Sequence, residues 1–272
     1  METSVHKIAI LGAAGRMGQS NILTAYQDKN VQIVGATEYS QHPLQGKDAG
    51  VLAGCGEINV AITDDLNTIL QKADVLIDFT SPPSTLSALE KNLQYKKAFI
   101  IGTTGLSDPE KDQIKNYSKE FPIVFAPNFS IGVNVLLKVT ELAASLLNKD
   151  KDYDLEIIEA HHRFKKDAPS GTALKLAEVA AKSSGRDLKK DAVYGREGIT
   201  GERTIDEIGM LTMRAGDIIG DHKVIFATLG ERVELSHIAH SRATFSKGAL
   251  LAAKWLKGKS TGLYNMADVL GF

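Results

Sequence analysis

Short runs rich in Ile and Val recur through the first 130 residues of this chain: His6–Leu11, Gln32–Thr37, Ile58–Ile62, Val75–Phe79, Phe99–Ile101 and Ile123–Ala126. Each has the length and composition of a parallel strand buried on both faces. Between several of them lie polar–apolar segments of about ten residues or more, long enough for crossover helices. Such alternation points to an α/β architecture built on an open, doubly wound sheet.

The texture changes near Ser130, where a domain boundary is expected. Ile131–Leu147 reads as one long helix, with Val135, Val139, Leu142 and Leu146 at helical spacing. A strand at Leu155–Ala160, a basic loop and a helix over Gly171–Lys182 follow. Lys182–Glu207 is polar and highly charged, and reads as a long surface loop. Ile208–Met213, Lys223–Leu229 and Val233–Ile238 are spaced like neighbouring strands of a mixed or antiparallel sheet, and Phe245–Leu256 like a closing helix.

Charge and composition exclude several classes. With 32 Lys+Arg against 33 Asp+Glu there is no basic excess to neutralise nucleic-acid phosphates. No stretch approaches the ~18 apolar residues of a membrane span. Met1–Val5 lacks the basic start and apolar run of a signal peptide, so the expected compartment is the cytoplasm, and the glycosylation pattern Asn128-Phe129-Ser130 carries no weight. Cys55 stands alone, which excludes an intrachain disulfide and a cysteine metal site. His161-His162 and His237/His240 lack a carboxylate spacing that would complete a metal site, so no metal is expected. Gly258-Lys259-Ser260 follows a helix rather than a strand, unlike a phosphate-binding loop, and no G-x-S-x-G elbow exists.

Directly after the first run stands Gly12-Ala13-Ala14-Gly15-Arg16-Met17-Gly18. Glycines there let the backbone turn tightly, approach a pyrophosphate and pack a helix on the sheet. The helix that opens in the loop offers unpaired N–H groups to phosphate. The first glycine interval is one residue longer than in G-x-G-x-x-G, and a plain β–α turn would look similar. Glu38, twenty residues beyond Gly18 at the tip of the next strand, is placed to accept from adenosine ribose hydroxyls. Together these point to a nicotinamide dinucleotide ahead of a flavin. Glu38 repels a ribose 2′-phosphate, Arg16 partly offsets it, and residue 39 is Tyr, so NADH is favoured and NADPH stays open. Gly102-Thr103-Thr104-Gly105 and Ala126-Pro127-Asn128-Phe129 follow two further strand ends and so face the same crevice. Ordinary turn chemistry explains these two loops equally well.

The chemical centre is His161-His162-Arg163-Phe164-Lys165-Lys166-Asp167-Ala168-Pro169-Ser170-Gly171-Thr172, in which five of the first six residues are basic. The run follows a strand and opens a helix through Ser170, Gly171 and Thr172, an arrangement suited to a carboxylate-rich substrate. A helix end supplies only about 0.3–1 kcal/mol to an anion, so the cations must supply most of the complement. His161 and Lys165 are the natural acid–base candidates, since both can titrate near neutrality in such surroundings. A solvated basic loop with surface histidines is the alternative.

The chain resembles the 4-hydroxy-tetrahydrodipicolinate reductase (dihydrodipicolinate reductase) family. The resemblance is carried by Gly12–Gly18, Asp78-Phe79-Thr80, Gly102–Gly105, Ala126–Asn134, Glu159–Leu174, Tyr194–Arg203, Arg214–Gly220, Gly230–Glu234 and the tail from Ser241, essentially the whole chain. It implies a Rossmann-type dinucleotide-binding domain over residues 1–130, completed by 241–272. It also implies an α+β substrate-binding and tetramerisation domain over 131–240, and a homotetramer. The implied reaction is NAD(P)H-dependent reduction of a cyclic dicarboxylate to tetrahydrodipicolinate, in diaminopimelate and lysine biosynthesis. By the same resemblance His161 and Lys165 form the acid–base pair, with Lys165 the favoured donor. His162, Lys165, Ser170, Gly171 and Thr172 hold the substrate. Gly12, Ala13, Ala14, Gly15, Arg16, Met17, Glu38, Gly102, Thr103, Thr104, Ala126, Pro127, Asn128 and Phe129 hold the cofactor. Members that use NADPH well often carry a base where this chain has Tyr39.

Overall fold

The computed structural model describes residues 5–147 and 152–272; residues 1–4, on which the reading of the N-terminus rests, lie outside the described part. In chain order the elements are β1 (His6–Leu11), α1 (Arg16–Tyr26), β2 (Val31–Thr37), α2 (Ala49–Ala53), β3 (Ile62–Thr63), α3 (Leu66–Lys72), β4 (Val75–Asp78), α4 (Pro82–Asn92), β5 (Ala98–Ile101), α5 (Asp108–Tyr117) and β6 (Pro122–Phe125). Then come α6 (Ile131–Leu147), β7 (Asp154–His161), α7 (Gly171–Ser184), α8 (Leu188–Asp191), β8 (Ala192–Val193), β9 (Ile208–Arg214), β10 (Asp221–Thr228) and β11 (Glu231–Ile238). The chain ends in α9 (Ala243–Trp255), β12 (Gly262–Tyr264) and α10 (Met266–Leu270). It divides into two units, Met1–Ser130 with Arg242–Phe272, and Ile131–Ser241.

The first unit is a seven-stranded parallel sheet in the order β12-β6-β5-β4-β1-β2-β3. Strand alternation divides its apolar residues between two cores. Ile8, Ile10, Val75, Ile77, Ile100 and Val124 pack under α1 and α9, while Ala9, Leu11, Leu76, Phe99, Ile101 and Ile123 pack under α3, α4 and α5. Strand order reverses between β1 and β4, which opens a crevice at their carboxyl ends. Helix α9 comes close because its inner face is small: a Cβ on Gly248 would stand 1.7 Å from the Phe129 carbonyl oxygen.

The second unit is a five-stranded mixed sheet, β11-β10-β7-β9-β8, with α6 and α7 on one face. Leu155, Ile157, Ile208, Met210, Val224 and Phe226 point into that core with Leu136, Leu176 and Ala180. On the opposite face Leu211 and Met213 are exposed. There the Glu156 side chain lies flat across Gly209 to meet Arg196 and Arg203.

Three sequence expectations need correction. Ile58–Ile62 is not a strand, because the Asp48 carboxylate takes the N–H groups of Ile58 and Val60 at 3.1 and 3.0 Å; only Ile62 and Thr63 pair with β2. Lys182–Glu207 is not one loop: α7 runs to Ser184, Asp187 caps α8, and Arg196 and Arg203 pin the remainder to Glu156 and Asp154. The runs at 208–213 and 223–229 are not neighbours, since β7 lies between β9 and β10. The closing helix expected at Phe245–Leu256 is α9, and β12 then adds a strand beside β6.

Gly248→Ala should destabilise the protein by at least about 1–3 kcal/mol through overpacking, measured as a lower midpoint in urea or thermal unfolding.

Candidate active site

Two clusters of predicted residues form, one in each unit. In the first, β1 runs into the glycine loop, where Gly12 has φ +69° and a Cβ on it would meet Thr80 Cγ2 at 2.6 Å. A Cβ on Gly18 would stand 2.1 Å from the Gly12 carbonyl oxygen, so helix and loop can meet this closely only through glycine. Gly15 caps α1 without a side chain, and no acid stands in the first turn, which leaves that helix end suited to an anion. One Glu38 carboxylate oxygen accepts from the Ala14 N–H at 2.8 Å, which fixes the acid beside the loop. A cavity of about 420 Å³ opens there, lined by Gly12, Glu38, Tyr39, Thr80, Ser84 and Lys91 among others. These features fit a dinucleotide: a backbone cradle, an uncapped helix end and an anchored acid around a cavity.

The other predicted cofactor residues divide by exposure. Ala14, Arg16, Met17, Thr104, Pro127 and Asn128 are accessible, whereas Ala13, Gly102, Thr103, Ala126 and Phe129 are buried. Thr103 bonds Thr85 at 2.8 Å, and the Phe129 ring packs edge-on against Phe79 at 5.4 Å. These buried members hold the loops in shape through packing and hydrogen bonds. Behind them Asp78 is fully buried; burial pushes its carboxyl up, against hydrogen bonds from Thr80.

In the second unit, strand alternation carries the core face out to a polar edge. Beyond the apolar row Met210–Ile157–Val224–Leu235 lies a row of Thr212, Glu159, His222 and His237, and beyond that Arg214 beside His161. His161 is buried at the end of β7, and its Nδ1 is 2.5 Å from a Glu159 oxygen. Burial pushes the imidazole down, Glu159 opposes, and the Lys165 and Arg214 cations push it further down. Burial would raise the Glu159 carboxyl, yet Arg214, His161 and the Ser170 N–H outweigh it and hold it at about 2.

Ser170 caps α7, its Oγ accepting from the Ala173 N–H at 3.2 Å and bonding His222 Nε2 at 3.1 Å. Gly171 and Thr172 open the helix with some exposure, His162 is half-buried, and Lys165 Nζ rests 2.8 Å from the Asp167 carboxylate. Ser170, Gly171 and Thr172 thus sit at one helix end, and Lys165 is close enough to act on the His161 imidazole. Sequence reasoning missed Glu159, Arg214 and His222. Glu159 carried a signal, since a residue two before His161 on a strand shares its face; Arg214 and His222 are brought in only by sheet register. Among the described residues no group of three His, Cys, Asp or Glu side chains could hold a metal, and no helix is long and apolar enough to cross a membrane.

The models of the dihydrodipicolinate reductase N-terminus and C-terminus match residues 6–129 and 132–270. The chain belongs to the dihydrodipicolinate reductase family. It is 51% identical over 97% of its length to the 4-hydroxy-tetrahydrodipicolinate reductase of Geotalea daltonii, and 52% identical over 97% to that of Hahella chejuensis, covering 98% of each. Among solved structures, the dipicolinate-bound dihydrodipicolinate reductase from Paenisporosarcina sp. TG-14 superposes with a TM-score of 0.76 at 26% identity, over 97% of this chain and 98% of that one. An amine dehydrogenase from Mycobacterium smegmatis shares the fold at TM-score 0.60 and 12% identity, over 97% of this chain and 96% of that one. As a member of this reductase family the chain is a pyridine-nucleotide-dependent oxidoreductase.

His222 gives this reductase a pH signature. Burial, then the neighbouring His161, push its imidazole from an ordinary 6.5 down to about 3. Between those values the unfolded chain binds a proton that the folded chain refuses, so stability falls as pH drops below 6.5. His222→Gln should remove up to about 1.4 kcal/mol per pH unit of that slope between pH 6.5 and 5, read from urea unfolding across the window.

Proposed function

We propose that this chain reduces 4-hydroxy-tetrahydrodipicolinate to tetrahydrodipicolinate with loss of water, as a step of diaminopimelate and lysine biosynthesis, using NADH ahead of NADPH. The observation that carries the reading is the His161 imidazole, anchored at Nδ1 by Glu159 at the end of β7, where a loop of cations leads to the N-terminus of α7. A cyclic dicarboxylate needs two anion sites beside a proton source, and this arrangement offers both. The named relatives support the substrate, as does the dipicolinate held by the Paenisporosarcina enzyme.

In this reading Ser170, Gly171 and Thr172 present hydroxyls and the α7 N–H groups to one carboxylate, and His162 adds a donor beside them. Lys165, leaving Asp167, donates the proton, and His161 Nε2 supports the transfer as acid or base. A bound reduced nicotinamide supplies the hydride. Gly12–Met17, Gly102–Thr104 and Ala126–Phe129 cradle the dinucleotide, and Glu38 takes the ribose hydroxyls. Glu38 and the exposed, uncharged Tyr39 favour NADH. The exposed Leu211 and Met213 on the open sheet face of the second unit support assembly of four chains through that face.

The test is a coupled assay in which an upstream synthase makes the unstable substrate from pyruvate and aspartate semialdehyde while NADH or NADPH absorbance is followed. Oxidation requiring both proteins is expected, faster with NADH; folded protein that oxidises neither cofactor would sink the proposal. His161→Ala and Lys165→Ala should each lower kcat about 100-fold or more with little change in NADH binding. Glu38→Ala should raise KM for NADH more than for NADPH, and equal effects on both would remove the ribose contact.

A further inference from the structure

We infer that Glu159, clamped by Arg214, is a positioning residue that fixes His161 in the Nδ1-protonated form, so that Nε2 is the nitrogen available to the reaction. The inference rests on the reading of His161 as an acid–base group and adds which of its nitrogens works and why.

The Glu159 carboxylate is almost completely buried, and both its oxygens are taken. Oε1 accepts from the Ser170 N–H at 2.9 Å, from Arg214 Nη2 at 2.8 Å and from Thr212 Oγ1 at 3.3 Å. Oε2 accepts from Arg214 Nη1 at 2.9 Å and meets His161 Nδ1 at 2.5 Å. The Arg214 fork is bidentate, the geometry that best holds a carboxylate ionised. An ionised oxygen carries no hydrogen, so the proton in the 2.5 Å contact belongs to the ring, and a bare Nδ1 lone pair there would repel the carboxylate.

The same clamp reaches the basic loop. Arg214 Nη2 also donates to the Asp167 carbonyl at 2.6 Å and Nη1 to that of Met213 at 2.6 Å, while Ala215 N–H donates to the His161 carbonyl at 2.9 Å. Gly220, the next residue along the row from His161, leaves the Nε2 side open: a Cβ there would stand 3.0 Å from Nε2. His222 does not compete for Glu159. Its Nε2 is engaged at 3.1 Å by Ser170 Oγ, the hydroxyl that also accepts from the Ala173 N–H. The groups acting on His161 are therefore Glu159 on its own strand, Arg214 from β9, His222 from β10 and Lys165 from the loop. Asp167 neutralises Lys165, and His237 of β11 acts on His222. Glu159 is the one anion among them in contact with the ring. It stabilises the imidazolium whenever His161 holds a second proton.

The tautomer is read first, on wild-type protein with ¹⁵N-histidine, assigning the His161 signals by their loss in His161→Ala. An Nδ1–H ring is expected; an Nε2–H ring overturns the inference. This measurement needs no turnover, so it decides the positioning whatever the reductase assay returns. Glu159→Gln should then lower kcat by about 100-fold or more, leave the Kd for NADH unchanged and move the His161 ionisation in the kcat–pH profile to lower pH. Glu159→Asp, which keeps the charge, should restore part of the rate and return the ionisation toward its original position. A Glu159→Gln variant with normal unfolding and an unmoved profile overturns the inference, and if that variant does not fold, the profile of Glu159→Asp and the wild-type tautomer decide.

Discussion

A carboxylate taken out of water must have every lone pair answered, and in the second unit the buried Glu159 imposes that demand on everything around it. Removing one partner of such a buried pair typically costs about 3–5 kcal/mol. The donors come from three places: Arg214 and Thr212 on β9, Ser170 at the head of α7, and His161 on its own strand. That set explains why β9 must lie beside β7 in parallel register, and why α7 begins where it does. It explains as well how a loop of like charges keeps one conformation, since the cation that answers Glu159 also holds the loop's Asp167 carbonyl.

The first unit handles anions by different means. It places no ring of cations around its glycine loop and relies on how near two backbones can come. Gly18 is required because the Gly12 carbonyl lies where its side chain would be, and Gly12 because of its positive φ and the Thr80 methyl beside it. Glu38 stabilises the loop from outside by accepting the Ala14 N–H, so a single acid braces the cradle and lines the cavity. A neutral cradle suits a large molecule whose phosphates stay near the protein edge. The second unit instead answers charge with charge, gathering Glu159, Arg214 and Lys165 around His161.

The parts legible in sequence were those fixed by short-range rules. Doubly covered strands, the glycine loop, Glu38 and the His161–Thr172 run all announce themselves through composition and spacing within about twenty residues. What escaped was set by long-range register or by side-chain competition for backbone. Arg214 and His222 are 53 and 61 residues from His161 along the chain (214 − 161 and 222 − 161), and only the pairing of β9, β7 and β10 puts all three on one face. Ile58–Ile62 reads as a strand by composition, yet Asp48 takes the N–H groups that a ladder would use. The charged stretch after Lys182 looks solvated, but Arg196 and Arg203 find acids on the sheet.

The closing segment gives the first unit a sheet that residues 5–130 cannot finish. Ala249, Leu250, Ala252, Ala253 and Leu256 of α9, with Met266 and Val269 of α10, fill the core against Ile8, Ile10, Val75, Ile77 and Ile100. At about 5–20 residues per second, a ribosome that has completed β6 needs on the order of ten seconds to deliver them. Through that interval the face that α9 and α10 cover has only α1 and α2 packed against it, while the second unit is still being made. The first unit's core therefore closes only when the last thirty residues are made, so its assembly is tied to the end of synthesis.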